Sequence, residues 1–97
     1  MTTYEQIRKT IGREAALEQL AEEAAELAQA ALKVSRITRG VNPTPVHLLD
    51  AEKDLTEELS DVILCAYVAG LKPNQNLMRN KLIRWGRRLR AWYGGLS

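Results

Sequence analysis

Apolar residues recur along this chain at steps of three and four, the spacing that lines one side of an α-helix and not one face of a strand. Leu17, Leu20, Ala24, Leu27, Ala31 and Val34 form the longest such stripe and predict a helix over residues 13–37. Leu48, Leu55, Leu59, Val62, Ile63, Ala66 and Ala69 predict a second over 45–70. Leu77, Leu82, Trp85, Leu89 and Trp92 supply the apolar side of a third, from Asn74 to Trp92. Ahead of these, Thr3 and Gln6 are spaced as a capping box, and Tyr4, Ile7 and Ile11 follow at helical steps. They predict a short first helix that reaches Gly12, where a glycine breaks or weakens it.

The punctuation between the stripes agrees with that division. Residues 38–45 carry Gly40, Asn42, Pro43 and Pro45 and read as a loop, with Thr44 expected to cap the next helix and Pro45 to open it. Gly70 and Pro73 mark a stop, and Gly94 with Gly95 another. No segment alternates with a period of two. The expected fold is all-α: a small helical bundle of three long helices and a short N-terminal one, in a single domain over residues 1–97.

Composition supports helix over strand, being rich in Leu and Ala with five aromatic residues and no Phe. A 97-residue chain buries a modest share of its surface, so amphipathic helices of this kind are expected to bury a second face against another copy. No apolar run is long enough to span a bilayer, and Met1 to Glu5 lack the basic-then-apolar order of a signal peptide. The one cysteine, Cys65, lies in an apolar run and reads as a packing thiol, so a reducing, cytoplasmic setting is expected. The one histidine, His47, reads as a helix-start residue.

Charge is divided unevenly. All 12 acids lie between Glu5 and Asp61, and residues 62–97 hold seven basic groups and no acid. Against seven basic groups, the acids give the first 61 residues a net −5, whereas the last 36 carry +7. Such a split suggests either pairing of acidic with basic elements or a basic tail on nucleic acid.

Within the acidic half, Glu23-Ala24-Ala25-Glu26 and Glu58-Leu59-Ser60-Asp61 each set two carboxylates three residues apart on one side of a helix. Glu23 falls in the row of Leu20 and Leu27, and Glu58 in the row of Leu55 and Val62. Both acids therefore border the stripe that should face a neighbouring helix. Carboxylates gathered there repel one another unless cations neutralise them, and oxygen donors favour hard ions, Mg²⁺ or Mn²⁺. The plainer reading is that these acids make salt bridges at a helix boundary.

The run Glu22-Glu23-Ala24-Ala25-Glu26-Leu27, followed by Glu57-Glu58-Leu59-Ser60-Asp61-Val62-Ile63, resembles the paired E-x-x-E and E-x-x-D motifs of MazG-like nucleotide pyrophosphohydrolases. Asn80 to Arg88 is similar to the basic helix that follows them in that family. The resemblance runs from about Leu17 to Leu89, and the 31 residues from Leu27 to Glu57 are a longer separation than is usual there. It implies a Mg²⁺-dependent enzyme, with Mn²⁺ as an alternative ion, that splits a nucleoside triphosphate into monophosphate and pyrophosphate. It implies metal ligation by Glu23, Glu26, Glu58 and Asp61 and a basic position at Lys81. Glu22, adjacent to the cluster, or Glu23 is then expected to activate the water, and Arg84 and Arg88, on the helix face of Lys81, to bind phosphate with it. The resemblance also implies a homodimer or homotetramer. A phosphoribosyl-ATP pyrophosphohydrolase is the nearest alternative. A basic helical nucleic-acid-binding or scaffold protein is the other, disfavoured because the acidic motifs would oppose a polyanion.

Overall fold

The computed structural model describes residues 1–40 and 47–94, and these are all-helical, with four helices and no strand. Helix α1 covers Tyr4–Ile11, α2 Arg13–Arg39, α3 Leu48–Val68 and α4 Gln75–Tyr93.

The local signals act where the sequence puts them. Thr3 Oγ1 accepts the Gln6 N–H at 3.1 Å, and Gln6 Oε1 accepts the Thr3 N–H at 2.8 Å, closing the capping box of α1. Gly12 breaks the chain between α1 and α2 with φ at 88°, a value that favours glycine. Helix α2 continues through Thr38 and Arg39, two residues past its last expected position, and stops at the left-handed Gly40. Helix α3 starts at Leu48 with His47 at its N-cap, three residues later than expected. The expected Thr44 cap and the helix opening at Pro45 lie outside the described residues. Asn74 caps α4 by accepting the Leu77 N–H at 2.9 Å.

Helices α2 and α3 pack along their lengths as an antiparallel hairpin, and α1 braces its open end. There Ala16 of α2 meets Val68 and Ala69 at the close of α3, which lets the backbones approach. Two arginines flanking the Gly12 break hold that end. Arg8 Nη1 donates to the Val68 carbonyl at 3.3 Å and Arg13 Nε to the Ala69 carbonyl at 3.2 Å. They satisfy carbonyls that the last turn of α3 leaves open and put positive charge on its negative pole. Tyr4 of α1 stacks at a tilt on Tyr67 of α3, ring centres 5.4 Å apart.

The expected bundle of three long helices is not what one chain forms. Helix α4 packs against none of the other three. Its apolar side is open, with Leu82 68%, Trp85 60% and Trp92 82% exposed. Among the described residues the buried core is Ala16, Ala51, Val68 and Ala69, and no large side chain is fully buried. The radius of gyration is 17.5 Å, against about 13 Å for a compact domain of this length. Among the described residues nothing covers the α4 stripe, so periodicity alone could place the helix but not its partner.

Candidate metal-binding groove

The hairpin sets its two acidic motifs opposite each other. Glu23, Glu26 and Glu58 each offer a carboxylate oxygen, and the three oxygens lie within 4.8 Å of one another. The cause is the register read from the stripes. Leu20 and Leu27 on α2, and Leu55 and Val62 on α3, are all half-buried in the seam, and Glu23 and Glu58 lie in the same rows and are half-buried with them. Glu26 lies at the exposed rim. Gln19, one turn before Glu23, donates from Nε2 to Glu23 Oε1 at 3.0 Å and orients that carboxylate.

Glu58 carries the strain of the arrangement. Its Oε2 is shielded from solvent and has no hydrogen-bond partner. Desolvation, and then the neighbouring Glu26 carboxylate, raise its pKa above the ordinary 4.5, with Asp61 and Glu23 adding to the rise. The only ion pair among the described residues joins Lys9 to Glu5 on α1 at 3.2 Å. No lysine or arginine there neutralises the cluster, so the salt-bridge account of these acids does not describe their surroundings.

The other sequence candidates fall at different distances from this centre. Asp61 is half-buried and close enough to act on Glu58 electrostatically, but it is outside the group of three. Glu22 is exposed on α2. Cys65 is half-buried; burial and then the Glu23 and Asp61 carboxylates push its thiol pKa up, so it stays protonated at neutral pH and is a poor nucleophile. Lys81, Arg84 and Arg88 lie together on α4 with Trp85 and Arg87, all exposed. Since α4 touches no other helix, the chain does not bring these cations to its own acids.

A groove of about 660 Å³ opens beside the acids, lined by Glu26 and Glu58 and, toward the α2–α3 loop, by Gln29, Lys33, Arg36 and Asp54. Lys33 and Arg36 were not among the residues singled out from the sequence. The signal was present, because Lys33 follows Glu26 by seven residues, two turns along the same side of α2. All donors in the triad are carboxylate oxygens, a set suited to Mg²⁺ or Mn²⁺, and the unpartnered Glu58 oxygen is a free position for such an ion. What the arrangement offers chemically is a set of carboxylate oxygens that could gather a cation or accept a proton. Comparison with known protein families, curated proteins and solved structures finds no match for this chain.

Proposed function

We propose that this chain is a MazG-like, Mg²⁺-dependent nucleoside triphosphate pyrophosphohydrolase. The observation that carries the reading is the convergence of Glu23, Glu26 and Glu58 from two helices onto one ion-sized space. Asp61, one turn along the same edge of α3 from Glu58, completes the ligand set by a change of rotamer. A divalent cation held there would neutralise phosphate oxygens and make a bound water more acidic.

The chain's own residues supply the rest. Glu23, oriented by Gln19, or Glu22 one residue earlier, accepts the proton of the attacking water. Water oxygen bonds to the α-phosphorus, the bond from that phosphorus to the bridging oxygen breaks, and pyrophosphate leaves with the electron pair. Lys81, Arg84 and Arg88 stabilise that departing charge. In one chain they stand apart from the acids, so a second copy must present them, and the working form is a homodimer or homotetramer.

Incubation with a panel of NTPs and dNTPs plus Mg²⁺, scored for pyrophosphate, tests this reading. Glu23→Gln and Glu58→Gln should each lower turnover by about 10²-fold or more while leaving the helical content intact. Normal turnover in a folded Glu58→Gln protein removes the proposed site. The panel also separates the phosphoribosyl-ATP alternative, whose substrate would be hydrolysed in preference to free NTPs. One observation favours a second class of reading: the exposed cations and Trp85 of α4 could track a nucleic-acid backbone. Duplex or single-strand binding at low salt, with no pyrophosphate released from any triphosphate, would select it.

A further inference from the structure

We propose that Lys33 and Arg36 form an oxyanion subsite for the phosphate chain of a magnesium-complexed di- or triphosphate. Both line the same groove as Glu26 and Glu58, Lys33 half-buried in it and Arg36 at its exposed rim. They stand two and nearly three turns beyond Glu26 on α2, about 10 and 15 Å along its axis. Side chains on a helix lean toward its N-terminus, so both lean back toward the carboxylates. The groove thus holds acids at one end and cations at the other. A phosphate chain bridged to a metal ion presents the complementary order, positive ion first and anionic oxygens beyond.

The groove is also selective about its ligand. Asp54 of α3 lines the same stretch as Lys33 and Arg36, but neither cation forms an ion pair with it or with any other described residue. Its charge opposes a bare phosphate, as do Glu26 and Glu58. The subsite therefore takes a polyphosphate that brings its own divalent cation and rejects free orthophosphate. Arg36 offers a planar fork to two oxygens, and Lys33 a single ammonium, so the guanidinium fixes the direction in which the chain lies.

The inference rests on reading the acids as a magnesium site, and its test is chosen to fail separately from that reading. Calorimetric titration with inorganic pyrophosphate, with and without Mg²⁺, is run on the wild-type protein and on Lys33→Met and Arg36→Met. Methionine keeps the stem and helix propensity of either residue, so helical content by circular dichroism should not change. Each variant is expected to bind magnesium pyrophosphate about tenfold more weakly or worse, while binding Mg²⁺ alone at least as well as the wild type. Lys33→Arg should recover most of the lost affinity. Equal binding of magnesium pyrophosphate by all three proteins overturns the subsite, as does pyrophosphate bound equally well without Mg²⁺. The triphosphate panel, run in parallel, tells the two failures apart. Hydrolysis with an unchanged KM in both variants leaves the activity standing without this subsite. Pyrophosphate binding that depends on Lys33 and Arg36, in a protein that hydrolyses nothing, leaves the subsite standing without the activity.

Discussion

At the scale of single residues, Glu58 sets the pH behaviour of the acidic groove. Its pKa is raised above 4.5 in the folded chain, first by desolvation and then by Glu26. A raised carboxylate pKa means that folding favours the protonated form. The stabilising contribution is complete below the unfolded value and is lost as pH climbs through the folded one. The metal-free protein should therefore lose stability through this group as pH rises above the ordinary carboxylate range. A divalent cation reverses the penalty, because it binds the ionised form and offsets the repulsion. Thermal melts with and without Mg²⁺ should show a larger rise in Tm at about pH 8 than at about pH 5. Glu58→Gln should raise the Tm of the metal-free protein near neutrality and remove most of the response to Mg²⁺. An equal Mg²⁺ response in the two proteins would show that the ion acts elsewhere.

At the scale of elements, the breaks matter as much as the stripes. Gly70 follows α3 with φ at 82°, and a Cβ there would run into the Arg8 guanidinium that holds the Val68 carbonyl. Gly70→Ala should cost about 1–3 kcal/mol, since it both strains the backbone and displaces that arginine. Asn74→Ala removes the cap of α4 at a cost of about 1 kcal/mol. Because α4 packs on no other helix of its chain, that loss should appear as faster amide exchange in its first turns and leave α2 and α3 unaffected. Features of this kind were legible in the sequence because they are local. Thr3 with Gln6, Gly12, Asn74 and Gly94 each act within a turn of their own position. The register that places Glu23 opposite Glu58 was legible too, since it follows from two stripes meeting along one seam. Two things were not. The start of α3 at Leu48 was obscured, because Thr44 and Pro45 ahead of it carry the sequence signature of a helix opening. Lys33 and Arg36 were masked by the denser basic run after Lys72, although only the hairpin's geometry decides which cations share a groove with the acids.

At the scale of the whole molecule, the question is what covers α4. Its outer stripe includes Leu82, Trp85 and Trp92, all open to solvent. The outer side of α3 adds Leu59 and Ile63, also exposed. Among the described residues the buried core is three alanines and a valine, and exposed apolar surface of this extent is a common mark of an interaction site. The charges point to the same kind of chain. Helix α4 carries six basic groups and no acid, whereas α3 carries six acids and one lysine. A second copy is complementary in both respects. Sedimentation should find a dimer or tetramer, and Leu82→Lys with Trp85→Lys should shift it toward monomer with a large drop in Tm.

Complementation between copies tests the same arrangement more sharply. A chain with Glu58→Gln keeps its basic helix but lacks a working groove. A chain with Lys81→Ala, Arg84→Ala and Arg88→Ala keeps its groove but lacks the cations. If each groove is served by its own α4, mixing the two yields only dead sites. If it is served by the neighbour's α4, half the grooves in a mixed dimer pair intact acids with an intact basic helix. Co-refolding the two inactive proteins in equal amounts should then give about a quarter of wild-type pyrophosphate release, because half the molecules are mixed and each holds one working site. No recovery, in mixtures shown by mass to contain mixed oligomers, would assign the basic face of α4 a role apart from the acids of α2 and α3.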